Sequence, residues 1–172
     1  MSVTIHQLGL LPAEILETRN TFDCGQPALN TYIAQTALQH EKRNVTRTFC
    51  AVKNGSIAGY YALTNAVVDI SALTPEVIKR YRLPTHALPV VRLGRLAIAL
   101  QHQRQGLGGT LLISALRKVV SVSESSGCVG LVVDAKDAKA AEYYQGYGFH
   151  PAPDNPLMLF MPLPAIKELL TS

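Results

Sequence analysis

The sequence lacks the features of several common protein classes. It contains no apolar run of about 18 residues, the length that crosses a membrane as a helix. The first residues carry neither a basic head nor an apolar core, so no export signal is expected. The cysteines (Cys24, Cys50 and Cys128) are odd in number and show no C-x-x-C spacing, and the five His residues do not pair at ligand spacing. These absences predict a cytoplasmic protein with no membrane association and no metal site.

Length and composition describe a single globular domain over residues 1–172. A chain of 172 residues has the length of one domain, and 48% apolar residues suffice for a sizeable core.

The positive charge is unevenly distributed along the chain. Between Glu41 and Lys118 there are 12 Lys and Arg residues against 3 acids, whereas the rest of the chain has 4 against 9. The surplus of nine positive charges in the first group predicts a polyanionic substrate such as RNA. A solvated basic face would explain the same charges and stays open as an alternative.

The most informative segment runs from Val90 to Ser126 and predicts a strand, a glycine-rich turn and a helix. The turn reads Q-R-Q-G-L-G over residues 103–108 and precedes a helix whose first backbone N–H groups have no intrahelical partner. Such a helix start is an anion site that a phosphate can approach closely. No Lys-Ser/Thr follows the glycines, and Leu111 occupies the place of a dinucleotide loop's third glycine, so neither common nucleotide motif fits.

The strand before this turn changes face. Its apolar residues lie at odd positions up to Leu93 and at even positions from Leu96. Because side chains of a strand alternate strictly, the shift predicts a β-bulge at Gly94-Arg95 that releases backbone groups from the ladder. Those groups can bind an extended, amide-bearing ligand.

The rest of the chain alternates strand and helix patterns. An Asn-Gly pair at positions 54 and 55 predicts a hairpin, and Thr74 before Pro75 predicts a helix start. The predicted strands are Val3–Leu8, Arg47–Lys53, Ile57–Ile70, Val129–Val133 and one around Leu157–Met161, and the predicted helices run from Pro27 to near Asn44, over Pro75–Tyr81, after the glycine turn, over Asp137–Tyr147 and over Pro164–Leu170.

A bulged strand followed by Q-x-x-G-x-G and a helix strongly resembles the acetyl-CoA-binding core of the GNAT superfamily of N-acetyltransferases. The resemblance covers nearly the whole chain and implies an α/β (α+β) fold. Its parts are a single mixed, mostly antiparallel sheet flanked by helices, a bulged strand and a splayed cofactor cleft. It implies acetyl-CoA as co-substrate, bound by Leu96, Ala97 and Ile98 of the strand and by Gln103, Arg104, Gln105, Gly106, Leu107, Gly108 and Gly109 of the loop. A glycine-rich turn without a ligand is the alternative for the loop alone.

The segment from Ala140 to Phe149 resembles the part of the family that supplies the general acid. There a Tyr five residues before the Phe of a Gly-Phe pair protonates the departing thiolate, and that position is Tyr144. Tyr143 points about 100° away around the helix, so only one of the two can face the cofactor. Packing of both tyrosines in the core is the alternative.

No carboxylate occurs between Glu76 and Glu124, so the bulged strand offers no acid as a general base. A lysine amine with a pKa of about 10.4 benefits from such a base, whereas an α-amino group near 7.7 is partly neutral already. The missing acid therefore points to the α-amino group of aminoacyl-tRNA. His86 or His102 can still relay a proton, although each is also a typical surface residue.

The opening Phe22-Asp23-Cys24-Gly25 and the strand R-L-G-R-L-A at residues 92–97 resemble one GNAT subgroup, the toxins of bacterial toxin–antitoxin operons. This resemblance implies an enzyme that acetylates charged tRNA and blocks translation. It also implies a homodimer and a ribbon-helix-helix antitoxin, which neutralises the toxin and carries the complex to operator DNA as a repressor. One departure is Gln105, where Lys or Arg is often found.

Five cations are placed to carry tRNA phosphates to such a site. They follow the first long helix or lie on the bulged strand: Lys42, Arg43, Arg47, Arg92 and Arg95. The alternative enzyme is a GNAT that acetylates a protein N-terminus or a small-molecule amine, and the alternative from another class is a non-catalytic CoA-binding or nucleic-acid-binding module. The sequence does not identify which aminoacyl-tRNA would be chosen, because tRNA recognition is spread over shape and backbone contacts.

Overall fold

The strands of the computed structural model, which describes residues 2–172, form a seven-stranded sheet. They are β1 Thr4–Gln7, β2 Arg47–Lys53, β3 Ser56–Val68, β4 Leu88–Ile98, β5 Gly130–Asp134, β6 His150–Ala152 and β7 Asn155–Pro162. Their spatial order is β1-β2-β3-β4-β5-β7-β6. β4 and β5 pair in parallel, while the pairs β1–β2, β2–β3, β5–β7 and β6–β7 are antiparallel. The predicted mixed, mostly antiparallel sheet is confirmed.

Local sequence explains where several of the helices begin. The α-helices are α1 Ala13–Leu16, α2 Pro27–Thr31, α3 Ala37–Lys42, α4 Pro75–Tyr81, α5 Leu107–Ser125, α6 Ala138–Gly146 and α7 Leu163–Thr171. The hydroxyl of Thr74 accepts the Val77 N–H at 3.3 Å and caps α4, as predicted. The carboxylate of Asp137 caps α6 in the same way, accepting the Ala140 N–H at 2.8 Å. Over residues 2–172, no helix combines the length and apolarity needed to cross a membrane.

The predicted helix from Pro27 is a continuous helical run with a π-helical segment in its middle. The run comprises α2, the π segment Tyr32–Thr36 and α3. It ends at Lys42, slightly before the predicted end, because Asn44 adopts a left-handed φ of 60° and the helix does not continue through it. The short helix α1 and a 3-10 segment at Glu17–Thr21 precede it and were not predicted.

The predicted hairpin joins β2 to β3. Asn54 and Gly55 have φ values of 55° and 76°, the left-handed pair that a tight two-residue turn requires. The turn sets Lys53 opposite Ser56. The second strand ends at Val68 rather than at the predicted Ile70, which begins a 3-10 turn capped by the Asp69 carboxylate.

Packing divides the chain into two compact units, and β3 and β4 contribute to both. Of the described residues, the first unit comprises 2–64 and Gly94–Ala115, and the second comprises Asn65–Leu93 and Leu116–Ser172. Buried side chains of the first core include Leu8, Phe22, Tyr32, Ile33, Cys50, Tyr60, Ala97 and Ala99. Those of the second core include Val68, Leu73, Val77, Leu88, Val90, Val132 and Phe160. The organisation as one domain over residues 1–172 stays a prediction.

Candidate active site

The glycine-rich loop lies between a 3-10 turn at Leu100–His102 and the start of α5. Arg104 and Gly106 both have left-handed φ values, 61° and 82°. Among the described residues, apart from the two chain neighbours, no atom lies within 4 Å of the place where a Cβ on Gly106 would be, so the loop borders open space there. Since α5 is 19 residues long, its first N–H groups and its dipole favour an anion next to this loop, and the predicted binding of a phosphate here stays a prediction.

The side chain of Gln103 fixes the base of the loop. Its amide nitrogen donates to the carbonyl of Cys24 at 3.0 Å and to the carbonyl of Ile98 at 2.9 Å. Both N–H groups of the Gln103 side chain thus donate to backbone carbonyls of the protein itself. We therefore assign Gln103 mainly to holding the loop, and its predicted contact with the coenzyme stays a prediction.

The F-D-C-G opening forms the support that Gln103 contacts. The Asp23 carboxylate accepts the Gly25 N–H at 2.9 Å and the Asn30 side-chain amide at 3.0 Å. Both hydrogen bonds lower the pKa of Asp23, and the bond from the Gly25 N–H has the larger effect. The carbonyl of Asp23 accepts the Leu100 N–H at 2.9 Å, just before the loop. The motif that carried the resemblance therefore positions the glycine loop.

The strand before the loop, β4, has different neighbours on its two sides: its described pairing with β5 ends early, whereas β3 stays close to it. The described pairing of β4 with β5 ends at Leu93↔Val133, one residue before Gly94. On the other side, a Cβ on Gly59 would lie 2.9 Å from the Ala97 carbonyl oxygen, so β3 needs glycine there to approach β4. Leu96–Ile98 lie beyond the last described pair, and the splayed cofactor cleft stays a prediction. The bulge itself stays a prediction.

Tyr144 is buried on α6, and its neighbour Tyr143 is not. Tyr144 is 5% exposed and its ring packs edge-to-face against Phe149, with centroids 5.7 Å apart. Burial, assisted by the negative charge of Asp134, raises the pKa of Tyr144 to about 12. Tyr143 is 42% exposed, and its hydroxyl lies 3.5 Å from that of Tyr147. The phenol of Tyr144 therefore keeps its proton at neutral pH, as a general acid must.

The raised pKa of Tyr144 predicts a defined alkaline instability. An unfolded tyrosine releases its proton at an ordinary pKa of about 10, whereas folded Tyr144 releases it at about 12. Stability from this group is thus complete below pH 10 and is lost as pH rises to about 12, because only the unfolded state has then released the proton. Denaturant unfolding of wild type and Tyr144→Phe from pH 8 to 11.5 should give a steeper alkaline decline for wild type. Parallel declines would contradict this.

The predicted RNA-contacting cations fall into two groups. Lys42 and Arg43 line a groove of about 560 Å³ together with Arg19, a residue that was not predicted to contact RNA. Arg95 also belongs to the first unit, with its guanidinium carbon 3.7 Å from the centroid of the Tyr32 ring. Stacking of this kind holds the guanidinium plane while leaving its N–H edge available to an anion.

The other two cations are already engaged. Arg92 makes a bidentate ion pair with Asp134, with N–O distances of 2.7 and 2.9 Å. Arg47 donates to the Glu41 carbonyl at 3.0 Å and to the Asn44 side-chain oxygen at 2.7 Å. Their phosphate contacts stay predictions, and they would have to use the N–H groups that these bonds leave over.

The glycine loop and the Tyr144 segment are the two parts on which acetyl transfer depends in the predicted family. The family model of the acetyltransferase (GNAT) family matches residues 13–149, which include both. The chain belongs to this family. The predicted family and its acyltransferase class are therefore confirmed.

Several similar proteins carry more specific names. A tRNA-acetylating toxin of Mycobacterium tuberculosis (strain ATCC 25618 / H37Rv) is 30% identical over 150 residues, 87% of this chain and 89% of the relative. The solved structure of AtaT complexed with acetyl-methionyl-tRNAfMet is 33% identical, with a TM-score of 0.87 over 99% of this chain and 100% of that one. The solved structure of a mutant AtaT toxin bound to the C-terminus of the antitoxin AtaR and acetyl-CoA is 29% identical. Its TM-score is 0.82, and the match covers 100% of this chain and 100% of that one. The predicted GNAT fold and the predicted resemblance to tRNA-acetylating toxins are confirmed.

Proposed function

We propose that this protein is a toxin that transfers acetyl from acetyl-CoA to the α-amino group of aminoacyl-tRNA and so blocks translation. The observation that carries the proposal is the match, over 99% of the chain, to AtaT complexed with acetyl-methionyl-tRNAfMet. The open glycine loop, the buried Tyr144 and the basic groove of the first unit support the same function.

Each catalytic requirement has a candidate in this chain. Acetyl-CoA supplies an acetyl thioester when bound. The amides around Gly106 and at the start of α5 bind its pyrophosphate, and the backbone of Leu96–Ile98 pairs with its amide-bearing arm. Tyr144 donates its phenolic proton to the sulfur as the substrate's amine attacks the acetyl carbonyl carbon and the C–S bond breaks. The proton that the amine loses passes to solvent, from which the Tyr144 phenolate is reprotonated. The α-amino group of an aminoacyl ester needs no carboxylate to become neutral, because its pKa is already low.

The partners and location follow from the same proposal. We expect a homodimer in the cytoplasm, neutralised by a ribbon-helix-helix antitoxin whose complex with the toxin binds operator DNA. The likeness to AtaT bound to the C-terminus of AtaR supports the antitoxin partner.

The decisive experiment is incubation with radiolabelled acetyl-CoA and total charged tRNA, followed by identification of the labelled amino acid. Label should appear on charged tRNA and be absent from the same tRNA after deacylation. If label instead reaches peptides with free N-termini or small amines and not charged tRNA, the alternative acetyltransferase function replaces this one.

The groove of Lys42 and Arg43 should act on tRNA alone. Replacing both residues by Ala removes two phosphate contacts, so the KM for charged tRNA should rise roughly tenfold at low salt and its salt dependence should fall. The Kd for acetyl-CoA should stay at the wild-type value. Exposed Lys79 and Arg80 on α4 offer a matched control, since their double Ala variant removes the same charge. Equal KM values for the two double variants would make the groove a solvated basic face.

A further inference from the structure

A lysine from outside the glycine loop lies against it. Lys53 is the last residue of β2, and its ammonium nitrogen is 3.5 Å from the side-chain oxygen of Gln105. Gln105 in turn donates from its amide nitrogen to the Gln101 carbonyl at 3.1 Å. The neutral side chain of Gln105 thus connects the loop to the β2–β3 hairpin, and the positive charge at this contact is the ammonium group of Lys53.

The hairpin positions the backbone of Lys53. The turn at Asn54-Gly55 sets Lys53 opposite Ser56, which fixes the direction of the lysine at the end of its strand. The backbone is therefore ordered up to the residue that carries the charge.

The ammonium group of Lys53 is available to an anion. A distance of 3.5 Å to a neutral amide oxygen is a weak hydrogen bond, and it uses one of three N–H donors. The described contact of Lys53 is with an amide and not with a carboxylate. The side chain is half-buried, which limits the number of rotamers that a new contact would have to restrict.

The loop itself has a neutral residue where the lysine reaches it. Its own cation, Arg104, is exposed, whereas position 105 is a glutamine. A phosphate that approaches the backbone of Gly106 passes beside Gln105, and an ammonium group beside that path lowers its energy.

We propose that Lys53 binds a phosphate of the nucleotide end of acetyl-CoA, supplying from β2 the positive charge that position 105 does not carry. The inference rests on the proposed function and adds a binding residue to its coenzyme site. The phosphate is either the 3′-phosphate or the pyrophosphate, and the two are distinguished with acetyl-dephospho-CoA, which lacks the 3′-phosphate.

The test measures Kd by calorimetry for acetyl-CoA and acetyl-dephospho-CoA with wild type, Lys53→Met and the charge-matched control Lys79→Met. Lys53→Met should weaken acetyl-CoA binding roughly three- to tenfold, less at high salt, while Lys79→Met leaves it unchanged. A loss confined to acetyl-CoA assigns the 3′-phosphate, and an equal loss for both ligands assigns the pyrophosphate. An unchanged Kd for Lys53→Met overturns the inference.

A second variant separates charge from structure. Adding Gln105→Lys to Lys53→Met returns a cation to the same place and should restore most of the lost affinity, which a merely structural role of Lys53 would not allow. Failure of rescue with both variants folded by circular dichroism overturns the inference, as does a rise only in the KM for charged tRNA. If wild type itself binds no acetyl-CoA, the proposed function fails instead.

Discussion

Replacing Tyr144 by Phe should lower turnover by about 10² to 10⁴ while leaving the fold and the Kd for acetyl-CoA unchanged. The factor is the usual contribution of a general acid, and the variant removes only the phenolic oxygen. The ring stays in its edge-to-face contact with Phe149, so the packing of α6 is kept. Turnover should be measured with saturating charged tRNA, because a change in KM alone would not report on the acid.

Tyr143→Phe is the matched control for this experiment. It removes a hydroxyl from the adjacent residue of the same helix, where that hydroxyl lies 3.5 Å from the one on Tyr147. Tyr143 is 42% exposed, and we expect its loss to lower turnover much less. If Tyr143→Phe is the more damaging change with both variants folded, the general acid has been assigned to the wrong tyrosine.

Features with a local physical cause were predictable from the sequence. The hairpin follows from two residues that tolerate positive φ, and α4 follows from Thr74 and Pro75, which cap and start a helix. The glycine loop was predictable for the same reason, since Gly106 adopts the left-handed conformation that its residue type allows. The family resemblance added Tyr144, whose role no local pattern reveals.

Features made by residues distant in the chain were not predictable. Gln103 donates to the Cys24 carbonyl across 79 positions, and Arg92 meets Asp134 across 42 positions. The contact of Lys53 with the glycine loop was not predictable either, because Lys53 and Gln105 are 52 positions apart in the chain. The sequence predicts the kinds of residue at the site, whereas their partners depend on strand order and register, which composition and periodicity do not encode.

The largest effect on coenzyme binding is expected at Gly106. Substitution by Ala or Leu forces an L-residue into a φ of 82°, which costs roughly 1 to 2 kcal/mol of stability in either variant. Apart from the chain neighbours, no atom of residues 2–172 lies within 4 Å of a Cβ at this position, so neither substitution begins with a steric clash at the Cβ. Only Leu extends beyond its Cβ into the open space beside the loop backbone, and we expect it to weaken acetyl-CoA binding tenfold or more relative to Ala, about the worth of one charge-assisted hydrogen bond.

The comparison of Ala with Leu at Gly106 separates the effect of side-chain size on acetyl-CoA affinity from the effect of backbone strain. Both variants should lose similar thermal stability, because both carry the same left-handed residue. Calorimetry should then show a small loss of acetyl-CoA affinity for Ala and a large one for Leu, since a phosphate must approach the backbone to within hydrogen-bonding distance. Equal affinities for the two variants would mean that a leucine side chain at position 106 does not obstruct the pyrophosphate. The pyrophosphate would then bind elsewhere.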